Sequence, residues 1–398
     1  MFNSNSMYSY NGLVKLTRLA HSGVDLGPLG LELIKYSEID SNAYVLMDLS
    51  KILLFRGGRE FALTTQAKAI AAQQIYTEPS ALDKVSLRLL TIMGPGDLMA
   101  NTPVEFLLEN SDVALDIVYV TPDLPLPEQL PEHDVLFVAI AQSDQNMGLL
   151  ASISKVVEHW PCPVINKPER IALLSRNVAC DLLQDIASVN MPVTLRLARQ
   201  VVESVSTSFS VLTEAPFPII IRPVDSHAGQ GLDKIVDIAE LTNYLARMPN
   251  NEFYVSSFID YRNQDGLFRK YRIVLIKGKP YLCHLAISEH WMIHYLNAGM
   301  SENAEKRAEE ARVMADFDDN FAVKHAQAFS DINERVGLDY LGIDCAETPD
   351  GKLLIFEIDS CMIVHSMDPV DLYPYKQPQM QKVFSAFREM LISQKQVH

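Results

Sequence analysis

Apolar positions along the first 83 residues fall into two amphipathic segments, "LGPLGLELIKYSEI" and "ALTTQAKAIAAQQIY", around a strand-like "YVLMDLSKILLF". From Lys84 the pattern changes. "VSLRLLTIM" reads as a buried strand and "GPG" as a turn, and "TPVEFLLENS" opens a helix, with Thr102 as N-cap, Pro103 at its first position and Glu105 closing a capping box. Strands "LDIVYVT" and "DVLFVAIA", helix "LLASISKVVEHW" and strand "CPVIN" follow. That alternation predicts a small parallel α/β domain over 84–165. The glycines of "GPG" lack the third glycine and downstream acid of a dinucleotide fingerprint. Beyond Pro168, Ser175 caps a helix "SRNVACDLLQDIA", and "PVTLRLA" and "ARQVVESVSTSF" give another strand and helix. The pattern thus divides the chain into 1–83, 84–165 and 166–398.

Residues 340–360, "YLGIDCAETPDGKLLIFEIDS", form two apolar strands around a Pro-Asp-Gly turn, yet carry Asp344, Glu357 and Asp359. A two-residue loop of Asp350 and Gly351 sets Glu357 opposite Asp344, and the period of two puts Asp359 on the face of Glu357. Carboxylates at cross-strand distance repel by about 3 kcal/mol at an effective dielectric of about 20. Three remedies are open: solvation, protonation or a lysine partner, or a hard divalent cation such as Mg²⁺ shared with nucleotide phosphates.

With 398 residues, 48% of them hydrophobic and 21% charged, the chain has enough apolar surface for two or three domains. Its net charge of −16 argues against binding to nucleic acid or an anionic membrane surface. Five cysteines without C-x-x-C spacing read as reduced and mostly buried. No run of eighteen apolar residues occurs, and the expected location is the cytoplasm.

A second informative stretch is "FPIIIRPVDSHAGQGLDKIVDIAELTNYL". A buried strand ends in Arg222, and the small-residue loop Asp225 to Leu232 follows. Such a loop is either an ordinary hairpin turn or a cradle whose backbone N–H groups approach an anion. It is no P-loop, because no Gly-Lys-Ser/Thr follows. His284, His290 and His294 lack metalloprotease spacing, and with Trp291 they read as a substrate-side wall or as core packing. His365 is a further candidate for acceptor contact, and the acidic stretch from Ser301 to Gly337 reads as a solvated helical surface.

Taken in order, "IIIRP…SHAGQG", "YVSSFI", "RKYRIVLIKGKPY" and "GLDYLGIDCAE…GKLLIFEID" resemble the ATP-grasp superfamily, in the branch of glutathione synthetase, D-alanine–D-alanine ligase and the ribosomal-protein glutamyl ligases. The resemblance covers 166–370 by motif and 84–165 by pattern. It implies an α/β (α+β) fold in which two α+β subdomains, 166–252 and 253–398, clamp ATP behind a small parallel pre-ATP-grasp domain. It also implies that Asp344, Glu357 and Asp359 hold Mg²⁺ against the phosphates, Asp359 standing where the family usually has Asn. Arg176 and Arg222 match positions that are usually phosphate-binding lysines, and Arg176 alone could equally be a solvated first-turn residue. Ser226, His227, Gly229 and Gly231 match the glycine-rich flap. Ser256, Ser257, Phe258 and Ile259 match the adenine hinge, with Ser256 where an acid is common, and Asp265 either meets the ribose or is a turn residue. Arg272, on one face of its strand with Lys270, matches an arginine suited to stabilising phosphate charge in transfer.

What the resemblance implies for function is an ATP- and Mg²⁺-dependent carboxylate–amine ligase acting on small amino acids or peptides, with a homo-oligomer left open. Two alternatives keep the fold: a kinase for a small hydroxylated substrate, and a module that binds ATP without chemistry.

Overall fold

In the computed structural model, residues 8–40, 42–78, 81–82, 84–205, 217–226, 229–294 and 297–395 are described. Their contacts divide the chain into two units, one of Met1–Ala141, Gln145–Ile171 and Ser360–His398, the other of Gln142–Asp144 and Ala172–Asp359. Both are of the mixed α/β class.

The first unit is built on β1 (Ile75–Glu78), β2 (Leu87–Met93), β3 (Val113–Tyr119), β4 (Val135–Val138) and β5 (Val164–Ile165), in the order β1-β3-β2-β4-β5. β3, β2, β4 and β5 run parallel, as their near-continuous apolar runs predict, and β1 is antiparallel at the edge. The expected strand "YVLMDLSKILLF" is instead the helix Ala43–Phe55. A run apolar at almost every position carries no usable period, and its thirteen residues suit a buried helix, begun by Asn42 accepting from the Tyr44 N–H. From its buried side Asp48 accepts from the Asn11 and Gly12 N–H groups at 2.7 and 3.1 Å, closing the start of the helix Gly12–His21.

The capping box at Thr102 does not form. Its helix is only Val104–Leu107; the Thr102 hydroxyl donates to Ser360 O at 2.8 Å, and Glu105 is buried. The segment 360–398, grouped by the family resemblance with 253–398, belongs to this first unit. Its helix Lys376–Lys395 buries Phe387 5.7 Å from the Phe137 ring and forks Arg388 onto Asp112 at 2.5 and 2.6 Å.

The second unit holds β6 (Val189–Asn190), β7 (Thr194–Ala198), β8 (Ile219–Pro223), β9 (Asp233–Ile235), β10 (Glu252–Ser257), β11 (Phe268–Ile276), β12 (Lys279–Ser288), β13 (Tyr340–Glu347) and β14 (Leu353–Asp359). They form an antiparallel sheet β7-β10-β8-β9 and a second sheet β12-β11-β13-β14-β6, parallel only at β14–β6. Ile219 and Ile221 of β8 and Phe253 and Val255 of β10 pack with Leu241 and Tyr244 of the helix Ile238–Arg247. The acidic stretch forms helices Ala304–Asp316, Phe321–Lys324 and Ala326–Val336, and it is not all surface: Glu310 is buried and accepts from the Leu285 N–H at 3.0 Å.

The β13–β14 hairpin departs from its predicted loop and still keeps its predicted pairing. The loop is Pro349, Asp350 and Gly351, one residue longer than expected, with Thr348 N–H bonded to Lys352 O at 3.0 Å and Gly351 at φ 82°. Three-residue loops place a left-handed residue at this position, which glycine adopts without strain. A bulge at Phe356 then takes the shift back, so that Asp344 faces Glu357 and Gly342 faces Asp359.

Candidate functional site

Three antiparallel strands carry one row of charge. Arg272 on β11 pairs in register with Asp344 on β13, which pairs with Glu357 on β14. The Asp344 side chain is 2% exposed, and its oxygens accept from Arg272 Nε and Nη2 at 2.8 and 2.9 Å and lie 2.7 Å from Lys270 Nζ. Burial pushes this carboxyl up, but Arg272 and Lys270 outweigh it and hold it well below the usual carboxylate range. A lysine partner was one of the three remedies open for the facing acids, and it arrives together with an arginine.

Glu357 Oε1 accepts from Arg176 Nη2 at 2.5 Å, and Arg176 also donates to Phe356 O at 3.3 Å. Arg176 opens the helix Arg176–Leu183, and its side chain, 20% exposed and paired with Glu357, is not a solvated one. Ser175 precedes it at the cap position without a capping bond. Burial raises the Glu357 carboxyl, and Arg176 and then Arg222 bring it below its ordinary value.

Arg222, at the end of β8, is 8% exposed. Its guanidinium donates to Ser226 Oγ at 3.1 Å and to Ser226 O, and among the described residues it has no carboxylate partner. Burial first, and then Arg176 nearby, push it down to about 10. Among the described residues its hydrogen bonds go to neutral oxygens only, the Glu357 charge nearby opposing the fall in part, and an anion would relieve it further.

Arg176, Glu357 and Ser226 wall a cleft, part of it open to solvent, together with Tyr254, Asp225, Asp359, Leu174 and Met191. Gly229 and Gly231 have φ of 73° and 65°. A Cβ on Gly229 would lie 2.8 Å from His294 Nε2, and one on Gly231 would lie 2.7 Å from Pro223 Cδ. The loop thus requires glycine both for its backbone and for its close approach. His227 lies outside the described residues.

The other expected residues are spread more widely. Ser256 pairs with Thr194 on one side and Ile220 on the other, Ser257 pairs with Ile219, and the Phe258 N–H donates to Pro218 O at 2.9 Å. Ile259 follows just past β10. Asp265 sits in the turn before Gly266, accepting from the Leu267 N–H at 3.0 Å and pairing with Arg269 at 2.7 Å. Of the histidines, His294 lies against Gly229, and burial, Lys270 and Arg272 hold its imidazole below its ordinary pKa. His284 pairs in register with Arg272, and His290 is exposed. His365 belongs to the first unit, packed 5.1 Å from the His21 ring.

Sequence reading left Lys234 and Tyr254 out. Lys234 Nζ sits 3.6 Å above the Phe258 ring, and Tyr254 pairs in register with Arg222. For Tyr254 the signal was available, since it lies two residues before Ser256 on one strand face.

No protein-family model and no curated protein matches the sequence. Among solved structures, the chain is similar to the VanG D-Ala:D-Ser ligase from Enterococcus faecalis at 16% identity, covering 78% of this chain and 99% of that one, with a TM-score of 0.49. It is similar to D-alanyl-alanine synthetase A from Vibrio cholerae at 12% identity, over 80% and 100% of the two chains, with a TM-score of 0.47. A RimK domain ATP-grasp protein from Sphaerobacter thermophilus is matched at 15% identity, over 77% and 98%, with a TM-score of 0.41. Likenesses at this depth assign neither activity nor substrate.

Proposed function

We propose that the cleft binds ATP and that the protein is an ATP-dependent carboxylate–amine ligase. Arg222 carries this reading: a buried guanidinium beside a glycine-dependent loop, partnered by neutral oxygens alone among the described residues, suits a phosphate. The order of ATP-grasp-like motifs from Ile219 to Asp359 supports it. A substrate carboxylate attacks the γ-phosphate, giving an acylphosphate and ADP. An amine then attacks the acyl carbon, forming the amide and releasing phosphate. No side-chain nucleophile is needed. Arg176 and Arg222 hold phosphate oxygens, and Arg272 stabilises charge near the transferred group. The adenine lies against Ser256–Ile259, the donor and acceptor are amino acids or short peptides, and the setting is the cytoplasm.

Mg²⁺ is usually bound by one or two carboxylates together with phosphates. Glu357 and Asp359 share the cleft wall and fit one such ion. Asp344, with both oxygens hydrogen-bonded to cations, does not fit as it stands. When bound, the ion held by Glu357 and Asp359 would neutralise phosphate charge.

A second reading, ATP binding without chemistry, draws on the Arg176–Glu357 pair, which already satisfies one oxygen of the central acid. ADP release measured across a panel of amino acids and short peptides separates the two. A ligase releases ADP only when acid and amine are both present, and Glu357→Gln lowers that rate at least tenfold. A folded Glu357→Gln protein as fast as wild type would remove the catalytic reading, and amine-independent phosphorylation of a hydroxyl would replace it with a kinase.

A further inference from the structure

We infer that this nucleotide site holds a single divalent cation, with Lys270 and Arg272 standing permanently where a second would bridge Asp344 and Glu357. The inference rests on the nucleotide reading above. Asp344 and Glu357 face each other across β13 and β14, the spacing at which a bridging ion would relieve their repulsion. That relief is already built from side chains. Asp344 Oδ1 accepts from Arg272 Nε at 2.8 Å, while Oδ2 accepts from Arg272 Nη2 at 2.9 Å and lies 2.7 Å from Lys270 Nζ.

A metal ion at about 2.1 Å from either oxygen would have to displace a guanidinium or an ammonium. The displaced group would stay partly buried without its counter-charge: Arg272 is 23% and Lys270 18% exposed. The strands make the arrangement rigid. Arg272 is in register with Asp344, and Lys270 lies two residues away on the same face of β11.

Both sheet registers shift beside this row, between Arg272 and Ile273 against β12 and between Asp344 and Cys345 against β14. Bulges re-aim side chains, and here they flank the positions that carry the ion pairs. Glu357 and Asp359, both on the cleft wall, are left as the pair able to serve one ion together with phosphates. Among the described residues, no three His, Cys, Asp or Glu side chains converge as a ready metal set, in keeping with a single ion completed by the nucleotide.

The test counts Mn²⁺ bound per chain by electron paramagnetic resonance, with a non-hydrolysable ATP analogue at saturation and calorimetry reporting analogue binding separately. One ion per chain is expected. Glu357→Gln should lose it while still binding the analogue more weakly, and Asp344→Asn should keep it. Two ions per chain in the wild type, or none with the analogue bound, would overturn the inference. If Asp344→Asn fails to fold, the wild-type count decides alone. Absence of analogue binding with and without metal would remove the nucleotide reading, and the inference with it.

Discussion

Asp344 shows how much one buried carboxylate can organise. Its removal leaves Arg272 and Lys270 facing each other without the charge that holds them. Breaking a buried pair from one side costs about 3–5 kcal/mol. Asp344→Ala should therefore lower the unfolding free energy by about that amount, read as a shift of the urea midpoint at unchanged slope; a change within experimental error would mean the pair is solvated. In the first unit, Glu78 behaves in the opposite sense. Burial pushes its carboxyl from 4.5 to about 7, with Lys51 opposing and Glu105 and Asp48 adding to the rise. A raised carboxyl binds more protons folded than unfolded between those values, so its contribution is full below 4.5 and fades as pH climbs to about 7. The melting temperature should fall across that window, and Glu78→Gln should flatten the fall.

Among elements, the β13–β14 hairpin separates two things that sequence alone ran together. The pairing of Asp344 with Glu357 was expected from a two-residue loop, and it forms although that loop does not. The route to it was not legible: a loop one residue longer and a bulge at Phe356 cancel, and neither leaves a compositional mark beyond Pro-Asp-Gly. Gly351→Ala should cost about 1–2 kcal/mol through its left-handed backbone, yet leave analogue affinity unchanged, since the bulge lies between the loop and Glu357. Loss of affinity would show that the loop, and not the bulge, sets the row.

Other elements were legible or hidden for similar reasons. The parallel strands of the first unit showed as unbroken apolar runs, whereas the same kind of run at Ala43–Phe55 gave a helix, because period cannot arbitrate where nearly every position is apolar. The Thr102 box failed because the Thr102 hydroxyl finds Ser360 O, a partner 258 residues away that no local motif reveals. Arg176, Arg222 and Glu357 were singled out by the resemblance, and the structure pairs Arg176 with Glu357. What closes on Asp344 was hidden, since strand adjacency brings β11 to β13 across more than sixty residues of intervening chain.

Across the whole molecule, 50 acidic against 34 basic residues give a net charge of −16, while Lys270 and Arg272 gather on Asp344 and Arg176 on Glu357. An acidic chain of this charge disfavours polyanionic surfaces. Stability of the first unit depends on its last helix. Phe387→Ala empties a fully buried ring site beside Phe137 and should cost about 3–5 kcal/mol. Calorimetry should place that loss in the transition lost when 376–395 is deleted; an unchanged melt would place the helix outside the cooperative core.

The return of Ser360–His398 to the first unit also sets a timetable for the ribosome. Residues 1–141 emerge early but lack the helix Lys376–Lys395, which is made only after the whole of Ala172–Asp359. At about 5–20 residues per second, that is a delay of roughly ten to fifty seconds. Throughout it the nascent β2 and β4 lack the helix that later packs on them, and their apolar residues on that side wait uncovered.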